Sequence, residues 1–377
     1  MLRVKVSKAR PVSKGVASKL DHILFLCRVL YNAALEERIS AYKKLGISLS
    51  YFDQCKELTI LRSQDPIYDA LDATMLRLTV LFRLDKAFKA FFARCKTGKK
   101  PGFPRFKGKY RFQTLVFSDS GWKLSGNKIW ITGVGQIRLT SVPEIRGPVK
   151  GLRLVRSVSG WRVHLIQDIG EVPETVEAVN HVGIDVGLKT FAVLSDGSKV
   201  KNPRFVKETL DDLKSLQRDV SAKKRGSNNR RKAKLKLARL HEKIKNRRDN
   251  FLHQESRKIV DKYDGFSVEK LDIQEMVDSD REIEGLNKKG ERGLRRGIMD
   301  AAWARFDFFI SYKAEEAGKK CKEVVARGTS QKCCNCGSIV KKTLRDRQHI
   351  CPCCGLVMDR DLNAAVNIDN LGWRLVA

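Results

Sequence analysis

No stretch of this 377-residue chain is apolar for the about 20 residues a membrane-spanning helix needs, because charge breaks every hydrophobic run well short of that. The start is no secretory signal either, since Met1-Leu2-Arg3-Val4-Lys5-Val6 alternates as a strand does. There are no internal repeats. Acid is scarce: 43 Asp and Glu face 75 Lys and Arg, leaving a formal charge of +32. A folded chain under that much self-repulsion calls for a polyanionic partner, and nucleic acid is the one that fits. A disordered basic tail is excluded, because 42% hydrophobic residues suffice for a core. The length allows two to four domains. Ten cysteines without a secretory signal read as thiols and metal ligands rather than disulfides.

The chain opens with a strand over residues 1–8. A helix is expected over 18–45, with Ser18 able to cap it and Gly46 to stop it. Two more helical stretches follow, at 51–63 and from Pro66 to Gly98. Thr97 to Lys107 cannot be helical: it mixes Gly and Pro with Lys99, Lys100, Phe103, Arg105, Phe106 and Lys107. Cations and rings so interleaved suit a phosphate backbone with bases to stack. From Phe112 to Gln167 the hydrophobic period is two, as in a small antiparallel sheet or barrel that the first strand could close. A linker near Val172–Thr175 leads to alternating strands and helices, the pattern of an α/β domain. Within it, helices over 206–225 and 230–262 form a hairpin. Residues 223–248 of that hairpin hold thirteen Lys or Arg and one acid, Glu242, as expected of a phosphate-tracking arm. A strand at 266–271, one helix over 295–318 and a strand at 323–325 complete the pattern.

Two constellations carry chemistry. Cys333 and Cys336 form one C-x-x-C pair, Cys351 and Cys354 a second, at a spacing that suits tetrahedral Zn²⁺. Cys334 and Cys353 are spare thiols. The other constellation is acidic. Asp185 lies inside a strand between Gly183 and Gly187, Glu269 at the end of another apolar strand, and Asp361 at the start of a late helix. Three carboxylates converging from three elements could hold two Mg²⁺ ions about 3.5 to 4 Å apart, enough to activate a water and stabilise the leaving oxygen of a phosphodiester. Their order along the chain fits an RNase H-like nuclease core.

Several segments together resemble the TnpB family, transposon-encoded RNA-guided DNA endonucleases related to type V CRISPR effectors. They are Gly183-Ile184-Asp185-Val186-Gly187, Val268-Glu269-Lys270-Leu271, Trp303-Ala304-Arg305-Phe306, Tyr312-Lys313-Ala314-Glu315, Thr329 to Gly337, and Asp359-Arg360-Asp361-Leu362-Asn363-Ala364-Ala365. The resemblance implies a RuvC-type nuclease with Asp185, Glu269 and Asp361 as Mg²⁺ ligands. Asp359 is the rival for the third place. It also implies a guide RNA encoded by the transposon, a double-stranded DNA target read beside a short flanking motif, and the prokaryotic cytoplasm as location.

The expected fold is multidomain α+β. An N-terminal β-barrel, the wedge domain (1–15 and 99–175), is interrupted by a helical recognition domain (16–98). A RuvC-like nuclease (176–328 and 359–377) follows, with the basic hairpin at 206–262 and a zinc ribbon inserted at 329–358. The nucleic-acid contacts expected are Lys99, Lys100, Arg105, Lys107, Lys223, Lys224, Arg225, Arg230, Arg231 and Lys232. A catalytically silent guided repressor and a transposase or structure-directed nuclease are the alternatives. All three acids are present, which argues against the first. No tyrosine nucleophile motif supports the second. Guide sequence, flanking motif, cut pattern and oligomeric state are not encoded legibly.

Overall fold

Alternating side chains at the N-terminus form strand β1 (Leu2–Pro11). A computed structural model describes residues 1–98, 101–280, 282–283, 286–325, 328–342 and 346–373; two of the expected contacts, Lys99 and Lys100, lie outside that set. The chain divides into two units, Met1–Glu171 and Val172–Ala377.

In the first unit, helix α1 (Lys14–Leu45) starts four residues before the expected 18. Ser13, not Ser18, is the cap: its backbone is extended and its hydroxyl accepts from the Val16 amide. Gly46, at φ 69, ends the helix as expected. Helix α2 (Tyr51–Gln64) begins with a capping box, Ser50 and Asp53 each bonding the other's amide. The single helix expected after Pro66 is segmented instead, into α3 (Pro66–Asp69), α4 (Ala73–Leu76), a π turn (Arg77–Leu81) and α5 (Phe82–Lys96). Asp65 and Asp72 each cap a fresh start, so the backbone breaks between them.

Six further strands follow: β2 (Thr114–Phe117), β3 (Trp122–Ser125), β4 (Lys128–Ile131), β5 (Gly135–Leu139), β6 (Val149–Ser157) and β7 (Gly160–Asp168). The sheet order is β2-β6-β7-β1-β5-β4-β3, antiparallel throughout. β1 is therefore the central strand, and the helices sit between it and its partners in sequence. Among the described residues β2 and β3 are the end strands, with no pairing that joins them into a closed barrel. Helix residues Leu20, Leu35, Leu76 and Leu84 share one buried cluster with Leu115, Ile137, Leu152 and Leu165 of the sheet.

The second unit opens with β8 (His181–Val186), β9 (Thr190–Leu194) and β10 (Lys199–Lys201). Helices α6 (Phe205–Glu208), α7 (Leu210–Ala222) and α8 (Asn228–Lys262) follow. Next come β11 (Gly265–Glu269), α9 (Ile273–Met276), α10 (Lys288–Ala301), α11 (Trp303–Glu316) and β12 (Lys320–Val324). The chain ends with β13 (Gln348–Ile350), β14 (Val357–Asp359) and α12 (Arg360–Trp373). The five-stranded sheet runs β10-β9-β8-β11-β12. β10, β9 and β8 are antiparallel neighbours, while β8, β11 and β12 are parallel.

One expected helix, 295–318, is two. Ala302 stands left-handed at φ 55 between α10 and α11. Ala301 and Trp303 are both buried, and residues two apart face different sides of a straight helix, so the break lets both reach the core. The strand expected at 323–325 starts at Lys320, because it pairs with β11 along its full length. No described helix is long and apolar enough to cross a membrane.

Candidate active site and cysteine cluster

Parallel pairing brings the first two acids together. Ile184 of β8 is in register with Val268 of β11. The next residues, Asp185 and Glu269, therefore sit side by side near the carboxyl ends of adjacent strands, about 4.8 Å apart across the ladder. That end of a parallel sheet is where α/β folds collect their functional groups. Asp361 arrives on the first turn of α12, which lies against β8, β11 and β12.

The approach of α12 to the sheet depends on Gly183. A Cβ there would lie 2.2 Å from the Ala365 carbonyl oxygen and 2.4 Å from the Asp369 amide nitrogen. No larger residue fits, and the Ala364-Ala365 pair keeps the helix side equally slim.

Asp185 feels the other two acids. Burial first, then the charges of Asp361 and Glu269, hold the Asp185 carboxyl well above the usual carboxylate range, with Arg360 opposing. Glu269 is raised by burial. Among the described residues the carboxylate oxygens are not drawn into a set within 4.8 Å of one another, as the cysteine sulfurs are. The donors are hard oxygens under mutual repulsion. A divalent cation would relieve that repulsion, so the residues fit Mg²⁺.

Asp359 is engaged otherwise. Its Oδ1 accepts from the amides of Asp361 (2.8 Å) and Leu362 (3.4 Å), capping α12. Its Oδ2 takes the Lys199 ammonium at 2.7 Å. Among the described residues the Asp361 carboxylate is paired with the neighbouring Arg360 guanidinium, at 3.1 and 3.0 Å through Nε and an Nη, in a pairing that a stronger cation could displace.

Asp307 of α11 joins the acidic side. It lines a cleft of about 370 Å³ with Glu269 and Glu323, and its carboxyl is pushed up to about 7 by burial, then by Glu323 and Glu269. Nothing in the sequence pattern singles it out, because it lies within a helix of mostly apolar residues.

The four cysteine sulfurs lie within 4.8 Å of one another. Sγ of Cys333 and Cys354 are 3.7 Å apart, and those of Cys336 and Cys351 are 3.5 Å apart. Four thiolates about 2.3 Å from one zinc would stand about 3.8 Å apart, so the cluster has the right size for Zn²⁺. The two knuckles are built alike. Gly337 and Gly355, at φ 80 and 74, each donate back to the carbonyl of Cys333 or Cys351 at 2.9 Å. Of the spare thiols, Cys334 turns to Met358 and Cys353 is exposed.

This cluster is bolted to α12. The amides of Asn363 and Asn367, one helical turn apart, both donate to the carbonyls of Thr329 and Lys332. The Asn363 carbonyl oxygen accepts from the Cys334 amide at 3.0 Å. The Asn-x-x-x-Asn spacing after Asp361 was the available signal for this joint.

The expected nucleic-acid contacts divide. Lys223, Lys224, Arg225, Arg231 and Lys232 are exposed, and so is Arg105. Arg230 is half-buried and donates to the Lys223 carbonyl, fixing the turn before α8. Lys107 is half-buried over the Tyr31 ring, and burial lowers its ammonium pKa. Its backbone is held at both N–H and C=O by Asn32.

The OrfB_IS605 family model, described as a probable transposase, matches residues 163–280, and the model of the TNB domain of Cas12f1-like proteins matches 303–368. A Streptomyces pristinaespiralis protein named as an RNA-guided DNA endonuclease is 31% identical over 363 residues, 93% of this chain and 85% of the relative. InsQ of Escherichia coli K12, named in the same way, is 30% identical over 301 residues, 78% of this chain and 73% of its own length. Among solved structures, one of a Cas12f1–sgRNA–target DNA complex matches with a TM-score of 0.61, covering 95% of this chain and 83% of that one. At 16% identity this is a likeness of fold alone.

Proposed function

The chain belongs to the TnpB family of RNA-guided DNA endonucleases, and we propose that it cuts its target at a RuvC-type site made by Asp185, Glu269 and Asp361. The observation that supports this reading is the placement of these acids, two on adjacent strand ends and one on the first turn of the helix packed on that sheet, with Asp185 raised by burial and then by the charges of the other two. The strand order, three antiparallel strands followed by two parallel to the first, supports the reading of an RNase H-like core.

Two Mg²⁺ ions bound there would activate a water for attack on the phosphodiester and stabilise the leaving oxygen. The protein's own part is to orient the ligands. β8 and β11 fix Asp185 and Glu269 through their ladder. Asp359 caps α12, which would leave Asp361 as the ligand, and Arg360 pairs with Asp361 where a metal would bind. Zn²⁺ on Cys333, Cys336, Cys351 and Cys354 is structural in this reading. The cysteine cluster is joined to α12 by the hydrogen bonds of Asn363 and Asn367 to residues 329–334, and a bound Zn²⁺ would hold that segment in shape.

The exposed cations of residues 223–232 and Arg105 would track the phosphates of guide RNA or target DNA, while base pairing to the guide selects the sequence. In the same reading the first unit is a wedge β domain with a helical recognition insert, and residues 176–328 and 359–377 form the nuclease.

The direct test is to sequence RNA that co-purifies with the protein expressed beside its native flanking DNA. A single defined RNA ending in sequence from outside the element supports guided cutting. A random mixture contradicts it and moves weight to a structure-directed nuclease.

A further inference from the structure

We infer that Asp369 is a positioning residue for the cleavage site, a clamp that fixes how far α12, and Asp361 with it, slides along β8. The inference rests on the assignment of Asp185, Glu269 and Asp361 as the cleavage site.

The Asp369 carboxylate, on α12, receives two groups from the sheet. Its Oδ1 is 2.8 Å from Nδ1 of His181, the first residue of β8. Its Oδ2 accepts from the Ser195 hydroxyl, just past β9, at 3.0 Å. Ser195 in turn brackets Gly183: its Oγ accepts from the Gly183 amide at 3.1 Å, and its own amide donates to the Gly183 carbonyl at 2.9 Å. Gly183 is where the backbone of α12 presses on β8, a Cβ there lying 2.2 Å from the Ala365 oxygen. The His181 ring also stacks on Trp373, centroids 5.3 Å apart and planes 12° apart. Residues 369 and 373 share one helix face, so a single imidazole grips α12 at two successive turns. From β12, Lys322 adds a bond to the Gly372 carbonyl and a contact over the Trp373 ring.

The leverage follows from helix geometry. Asp361 stands eight residues before Asp369, about 12 Å along the axis. Asp185 stands four residues after His181 on the strand. One bonded pair thus sets the offset of helix against strand, and the two carboxylates stand at the other end of that offset. Ser, His and Asp here are not a hydrolytic triad: hydroxyl and imidazole both converge on the carboxylate, and the ring face is covered by Trp373.

The test is Mn²⁺ binding to the purified full chain, read by the ion's paramagnetic resonance, beside Mg²⁺ titrations of guided cutting. Asp369→Ala is expected to weaken Mn²⁺ binding by about tenfold or more and to raise the half-saturating Mg²⁺ equally, as loss of a ligand's supporting contacts does. Guide-RNA binding and zinc content should not change. Asp369→Asn, whose amide can still accept from Ser195 and donate to His181, should stay near the parent. Should Asp369→Ala fail to fold, Ser195→Ala removes one arm of the clamp and must weaken Mn²⁺ in the same direction. Parent-like Mn²⁺ binding in Asp369→Ala, or in Ser195→Ala where that is the variant read, overturns the proposal. Equal loss of cutting in the alanine and asparagine variants at unchanged Mn²⁺ affinity overturns it too. Asp185→Ala is the reference: if it keeps the Mn²⁺ site, the cleavage-site assignment itself fails, and the role of Asp369 falls with it.

Discussion

Gly183→Ala is the smallest change that should disable the nuclease without touching a carboxylate. The added methyl would sit 2.2 Å from the Ala365 oxygen and 2.4 Å from the Asp369 nitrogen. Both are backbone atoms, so no rotamer relieves the clash. Ordinary contact needs about 3.5 Å, so α12 must retreat by about 1 Å. Overpacking of this kind costs about 1–3 kcal/mol. For a unit of about 200 residues that lowers Tm by roughly 2–12 °C. The larger effect is on Asp361, which moves with the helix away from Asp185. A misplacement of about 1 Å can cost about 100-fold in rate. The assay is single-turnover cutting at saturating Mg²⁺ with guide bound, alongside a thermal melt and a guide-RNA binding measurement. RNA binding should be unchanged. Cutting at the parent rate with an unshifted melt would refute the claim that α12 is seated on Gly183.

Cys351→Ser should release zinc, free the Thr329–Cys334 strap from Asn363 and Asn367, and reduce cutting through the loosened helix; metal analysis beside cutting checks it, and retained zinc with full activity would contradict the ligand set. Asp361→Asn should abolish cutting, whereas Asp359→Asn should cost about 0.5–2 kcal/mol as a lost cap and salt partner while leaving cutting measurable; a melt and a cleavage assay on both variants separate ligand from cap. Asp185 is raised by burial and by Asp361 and Glu269, so its proton is held to a higher pH than an ordinary aspartate's. Cation binding needs the ionised form, and half-saturating Mg²⁺ should therefore fall as pH rises above the ordinary carboxylate range; a flat profile would contradict this. The sign is opposite for the metal-free fold. A raised folded pKa gives stability at low pH that is lost as the group ionises, so Asp185→Asn should raise the metal-free Tm at neutral pH.

Local pattern told much of this, and long-range pairing told the rest. Period-two alternation marks β1 as a strand, but not that it lies between β7 and β5, residues more than a hundred positions away. The α10–α11 stretch keeps a helical period across Ala302, so the left-handed break there is invisible without the core that Ala301 and Trp303 must both enter. The carboxylates were legible because each sits where an apolar run ends or a helix begins. Asp369, Asp307 and His181 were not, since their roles come from partners on other elements. The linker after α5 reads as loose and basic. Yet Arg94 donates to the Pro101 and Gly102 carbonyls, and Phe103 packs edge-on against Phe88 and Phe91.

The central claim is that one guided site, made by Asp185, Glu269 and Asp361, does the cutting. The measurement is cleavage of a plasmid target by the parent and by single alanine variants at these positions, each loaded with a guide rewritten to a new sequence, in the presence of Mg²⁺. The account predicts that the parent cuts only where the rewritten guide pairs, and that each variant binds guide and target as the parent does but leaves the DNA intact. Cutting that ignores the guide, or that survives loss of Asp185, would contradict it.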